Sequence, residues 1–105
     1  VPEPTRLDSL RALHAKDPAD PFVAYGLALE LAKRPETAAE ARSTFSALLE
    51  RRPDYVPAYY QYGLFLARRG ETGEARRILT AGVAAAARTG DTHAQGELEA
   101  ALAAL

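Results

Sequence analysis

The side chains that could do chemistry are few and scattered. His14 and His93 are the two imidazoles of the chain. A metal centre needs convergent ligands at short, regular spacing. Neither histidine has a carboxylate or second imidazole three or four residues away that reads as a deliberate ligand pair. Asp17 follows His14 by three, but both sit at a helix end. Helix-terminal polar residues are the plainer reading, so no metal and no other cofactor is expected. Cysteine is absent, which excludes disulfides, thiolate ligands and thiol nucleophiles. The serines Ser9, Ser43 and Ser46 fall inside helical stretches, not in a strand-to-helix elbow. Gly70-Glu71-Thr72-Gly73 lacks the Lys-Ser/Thr that would make it a phosphate loop. Glu97 and Glu99 are two apart on a helix and point to different faces, so they cannot pair as acid and base. An enzyme is not expected.

Charge narrows the partners. The formal net charge is -1, so no global field draws the chain to nucleic acid or anionic lipid. The doublets Arg51-Arg52, Arg68-Arg69 and Arg76-Arg77 make one region locally basic. They read as compensation of helix C-terminal dipoles and as solvated faces. No stretch approaches about 20 apolar residues, so a membrane span is not expected. No basic, apolar, small-residue leader opens the sequence, which makes the cytoplasm the expected location.

These sparse polar groups must be carried by helices. Among 105 residues, alanine supplies 23 and leucine 14, while valine and isoleucine together supply 5. That balance favours helix over sheet, in a single compact domain. Thr5 with Asp8 has capping-box spacing, and Leu7, Leu10 and Leu13 follow at helical intervals until Asp17-Pro18. Asp20-Pro21 starts a second helix with stripes at Phe22, Tyr25, Leu29 and at Val23, Leu27, Glu30, Leu31. Thr37 and Glu40 have capping-box spacing before Ala41, Phe45 and Leu48. Asp54 can cap a fourth helix carrying Tyr59, Tyr62 and Leu66, and Arg68-Arg69-Gly70 ends it. Thr72 can cap a fifth, through Ala75, Ile78, Leu79 and Gly82. Asp91 or Thr92 starts a sixth, with Leu98, Leu102 and Leu105 on one side.

Two segments repeat. Phe22-Val23-Ala24-Tyr25-Gly26 aligns with Tyr59-Tyr60-Gln61-Tyr62-Gly63, and Leu29 with Leu66, at an offset of 37. Glu40-Ala41-Arg42 aligns with Glu74-Ala75-Arg76, and Phe45 with Leu79. In this alignment Gly26 and Gly63 mark close helix approach, with Ala41 and Ala75 facing them.

These residues resemble the tetratricopeptide repeat family, in its small bacterial form. Its pattern runs from a bulky aromatic through Leu-Gly and Tyr to Ala, Phe and Pro. Phe22, Tyr25-Gly26, Leu29, Ala41, Phe45 and Pro53 carry it in the first unit. Tyr59, Tyr62-Gly63, Leu66, Ala75 and Leu79 carry it in the second, where Ala87 stands in place of the proline. The resemblance implies an all-α, right-handed superhelix of two helix-turn-helix repeats, 20–53 and 54–90. Capping helices at 5–16 and 91–105 would close it, the last one covering Leu66 and Leu79.

It also implies a concave groove lined by Asp20, Val23, Leu27, Glu30, Tyr60, Gln61, Leu64 and Arg68. None of Val23, Leu27, Tyr60 and Leu64 is basic or Asn, so the family's clamp for a C-terminal carboxylate is not expected. The function implied is a non-enzymatic scaffold that offers a mostly apolar groove to a peptide or helix of a partner protein. The alternative is a homo-oligomerisation module whose groove or end face is covered by a second copy.

Overall fold

A computed structural model describes residues 2–105. Among them are six α-helices and one short 3-10 turn, with no strand. The chain forms two compact units, the first ending at Arg51 and the second running Arg52–Leu105.

In the first unit α1 is Arg6–Lys16, α2 is Pro21–Leu31 and α3 is Ala38–Arg51, with the 3-10 turn at Pro35–Thr37. The start of α1 is a reciprocal capping box. The Asp8 amide donates to the Thr5 hydroxyl at 3.1 Å, and the Thr5 amide donates to the Asp8 carboxylate at 3.0 Å. The bond from the Thr5 backbone holds the Asp8 carboxyl below its ordinary range. Asp20 caps α2, accepting from the Phe22 amide at 3.0 Å and the Val23 amide at 3.4 Å, and Pro21 takes the first turn. α2 packs between α1 and α3. Its buried stripe is Ala24, Leu27, Ala28 and Leu31, and that of α3 is Ala38, Ala41, Phe45 and Leu48.

The expected capping box at Thr37 does not form. The Thr37 hydroxyl turns back and donates to the Leu31 carbonyl at 2.6 Å, so it closes the end of α2 instead. Glu40 accepts from two guanidinium nitrogens of Arg11, with Nη2 at 2.5 Å and Nε at 3.2 Å. That bidentate bond lowers the Glu40 carboxyl and raises Arg11. It also ties α1 to α3.

The second unit holds α4, Val56–Arg68, α5, Thr72–Thr89, and α6, Thr92–Ala103. α5 packs on α4, and α6 packs on α5 with a smaller contact to α4. Asp54 does not cap α4. Arg88 claims it, with Nη2 at 2.8 Å and Nε at 3.1 Å, while the Tyr59 hydroxyl donates to the Pro53 carbonyl at 2.7 Å. Thr72 is the first residue of α5 and not its cap. Asp91, the earlier of the two expected starts, caps α6 by accepting from the Ala94 amide at 3.0 Å. Gly70 at φ 77° and Gly90 at φ 72° take the left-handed conformation that ends α4 and α5. The Glu71 amide reaches the Leu66 carbonyl at 3.0 Å, and the Asp91 amide reaches Ala86 at 2.9 Å.

Helix approach in this unit depends on two glycines. A Cβ on Gly63 would collide with the buried Leu79 side chain, 2.5 Å from its Cγ. A Cβ on Gly82 would stand 2.6 Å from the Tyr59 Cβ and 2.9 Å from a Leu98 methyl. Gly26 differs. A Cβ there would meet only a Leu10 methyl at 3.5 Å, an ordinary contact, so the expected close approach at Gly26 is absent.

Candidate interaction surface

The burial pattern sets the repeat register. Along α2 the buried positions are Ala24, Leu27, Ala28, Glu30 and Leu31. Along α4 they include Tyr59, Tyr62, Gly63, Phe65 and Leu66. These sets coincide at an offset of 35, not 37. Ala28 thus holds the small-residue position of Gly63, and Leu31 that of Leu66. The second helices, α3 and α5, keep an offset of 34, which lays Ala41 on Ala75 and Phe45 on Leu79. The one extra residue sits in the turn at Pro35–Thr37.

An offset of 35 puts a different set of α2 side chains on the exposed side. Phe22, Tyr25 and Leu29, the bulky stripe that an offset of 37 lays on Tyr59, Tyr62 and Leu66 of the buried side of α4, stand on the open side of α2. Phe22 is 76% exposed, and Tyr25 and Leu29 are half-buried. Leu27 and Glu30, expected to line a groove, are instead 3% and 7% exposed. Leu27 belongs to the core stripe. Glu30 is held by Lys33 Nζ at 2.9 Å, Arg6 Nε at 3.3 Å and Arg34 Nη2 at 3.9 Å. Asp20 is occupied as the α2 cap, and Val23 is half-buried beside the open face. On α4, Tyr60, Gln61 and Leu64 are half-buried and Arg68 is exposed.

In the corrected register each unit carries the same ladder. Tyr25 and Leu29 on α2, with Lys33 in the turn just after it, match Tyr60, Leu64 and Arg68 on α4. Each ladder runs in steps of four, from an aromatic through a leucine on one helix face to a cation, which ends α4 in the second unit and follows the end of α2 in the first. The sequence contained this signal at offset 35. Matching aromatic to aromatic and glycine to glycine favoured 37 and hid it.

In the first unit the open face is bounded by α1. Arg6, Leu10 and Leu13 face Phe22, Val23, Tyr25, Gly26 and Leu29 across a cleft of about 270 Å³. α1 and α2 run antiparallel here, so Arg6 lies beside Glu30 at one end, and Leu13 lies towards Phe22 at the other.

Glu30 is the most heavily engaged carboxylate near this surface. The bond from Lys33, reinforced by the charges of Arg6 and Arg34, holds its carboxyl below the ordinary glutamate range. A lowered carboxyl stabilises the fold above its unfolded-state pKa, and that contribution is lost as pH falls through its folded-state value. Glu30→Gln should therefore be less stable than the parent at neutral pH and show a shallower loss on acidification. Urea unfolding at pH 7 and in the acid range checks this. Parallel losses for the two proteins would exclude a role for the Glu30 carboxylate.

Among the described residues no group of three His, Cys, Asp or Glu side chains could hold a metal ion. His93 does have a partner at helical spacing, contrary to expectation. Its Nε2 lies 3.2 Å from Glu97 on the open surface of α6. Among the described residues, no helix is long and apolar enough to cross a membrane.

No known family model matches the sequence. No curated protein matches it either. Solved structures do. The solution NMR structure of a tetratricopeptide repeat domain protein from Salinibacter ruber aligns over 82% of this chain and 86% of its own. The TM-score is 0.75, at 36% sequence identity. The solution structure of a Bordetella parapertussis protein aligns over 95% of this chain and 86% of its own, with a TM-score of 0.78 at 26% identity. Sequence identity, helix order and the two-unit burial pattern agree: the chain belongs to the tetratricopeptide repeat family.

Proposed function

We propose that this chain is a non-enzymatic protein-interaction module that presents the exposed faces of α2 and α4 to a peptide or helix of a partner protein. The tetratricopeptide fold generally mediates protein–protein interaction, which supports the coarse reading. The observation that carries the finer one is the repeated ladder, Tyr25-Leu29-Lys33 and Tyr60-Leu64-Arg68. Half-buried aromatic and leucine side chains lose water when a partner covers them, worth roughly 25 cal/mol per Å² of apolar area. Tyrosine adds rigid contact area and a polar tip. Asp20, Val23 and Gln61 flank the ladders, and Leu27 and Glu30 support α2 from within.

The test is Tyr60→Ala combined with Leu64→Ala. Both positions are half-buried on α4, so the double variant should stay folded by circular dichroism. Capture of partner protein should fall by at least about tenfold in affinity, the loss of roughly 1.4 kcal/mol. Undiminished capture by a folded variant would remove α4 from the surface.

A homo-oligomeric use of the same surface has one observation in its favour. Among the described residues, Leu13 and Phe22 are the large apolar side chains left exposed, and they lie on adjacent helices. Light scattering across a concentration series separates the two readings. A concentration-independent monomer excludes self-association.

A further inference from the structure

We propose that the cleft between α1 and α2 receives the apolar ridge of an amphipathic helix, and that this helix carries a carboxylate at the end lying over Arg6. The inference rests on the interaction-module reading and names the partner chemistry of one part of that surface.

The floor and walls are apolar. Leu10 and Leu13 of α1 face Tyr25 and Leu29 of α2, with Phe22 at one mouth. Leu13 is 50% exposed and Phe22 76%. The cavity, about 270 Å³, is below the roughly 300–1,000 Å³ of small-molecule sites, and it is a furrow between two helices. Such a furrow takes the side-chain ridge of a third helix. There is no strand edge among the described residues to add an extended peptide to.

Charge selects among possible ridges, because the two ends of the furrow have opposite sign. At one end Arg6, Lys33 and Arg34 converge on the single carboxylate of Glu30, three cations to one anion. The Arg6 side chain is 71% exposed and lines the cleft. A second carboxylate brought over Arg6 meets uncompensated positive charge without displacing Glu30. At the other end Asp17 and Asp20 outnumber Lys16. Both aspartates already accept from backbone amides, Asp17 from Ala19 and Asp20 from Phe22 and Val23. An acidic group on the ligand is favoured at the Arg6 end and disfavoured at the Phe22 end.

The test uses the full chain, labelled with nitrogen-15, and two synthetic helical peptides. Both carry leucines at i, i+4 and i+7. One has a single glutamate one turn beyond the last leucine, and its twin has lysine there. The glutamate peptide should shift the amides of Leu10, Leu13, Phe22, Tyr25 and Leu29. It should bind about threefold more tightly than the lysine twin at low salt, the scale of an exposed ion pair. Arg6→Glu should abolish or reverse that preference, and Phe22→Asp should weaken both peptides. Both substituted side chains are exposed, so both variants should fold, and matching circular dichroism spectra confirm it.

Equal affinity for the twins overturns the proposal. So do shifts confined to Tyr60 and Leu64, which leave the interaction-module reading standing. Self-association of the parent that Phe22→Asp abolishes also overturns it, because a second copy then covers the cleft.

Discussion

Gly82→Val should cost this protein about 3 kcal/mol or more of folding stability, enough to remove much of what a typical domain has. The reason lies in what a side chain there would meet. A single Cβ at Gly82 already stands 2.6 Å from the Tyr59 Cβ and 2.9 Å from a Leu98 methyl. The Leu98 methyl is the end of a side chain, but the Tyr59 Cβ is fixed to the backbone of α4. Tyr59 is also anchored through its hydroxyl to the Pro53 carbonyl. Relief therefore requires α4 and α5 to move apart, which opens a buried interface. Gly82→Ala should show the same conflict more mildly. Helix propensity returns about 1 kcal/mol, and overpacking takes roughly 1–3.

Gly96→Ala is the matched control, since nothing lies within 4 Å of its Cβ position and its φ is not positive. It should stabilise by about 1 kcal/mol. Thermal and urea unfolding followed by circular dichroism would report opposite signs for the same chemical change. At this chain length each kcal/mol moves Tm by roughly 4–8 °C. A Gly82→Ala protein stabilised as much as Gly96→Ala would show that the α4–α5 approach is looser than described.

Removal of residues 91–105 should have the largest effect of all. Leu98 is the one side chain of α6 that is buried, and it rests against Gly82. Leu98→Ala should cost about 2–5 kcal/mol through lost burial and the cavity left behind. Deleting the helix removes the whole cover, so Gly82 and Tyr59 become the first residues opened to water. The truncated chain should melt far below the parent, or unfold without a cooperative transition, and should bind a hydrophobic dye. A melting curve unchanged by the truncation would refute a stabilising role for α6. Comparison with Leu98→Ala separates loss of one anchor from loss of the helix.

The ends of the helices were legible where a side chain had one local option. Thr5 with Asp8, Asp20 with Pro21, and the glycines at 70 and 90 all act as their types and positions predict. Thr37 and Asp54 had competing partners that the sequence does not display. The Leu31 carbonyl took the first and the Arg88 guanidinium took the second. The site divides the same way. The exposed face of α4 was readable because Tyr59, Tyr62 and Gly63 mark its buried side unambiguously. On α2 the bulky residues are on the open side and the core is made of Ala24, Leu27, Ala28 and Leu31. Residue type argued for one face and packing chose the other. The deciding quantity was side-chain volume at the helix contact, where Ala28 is small enough to serve as Gly63 does.

The extra residue in the Pro35–Thr37 turn acts like a frameshift confined to a loop. One residue corresponds to about 100° of helix rotation, yet neither α2 nor α3 turns its stripe away from the core, because the turn absorbs the slip. The two helices of the first unit are thus in different frames relative to the second. A side chain transplanted between the units must be counted at 35 on the first helix and at 34 on the second. A graft made in a single frame would bury its binding residue in one of them.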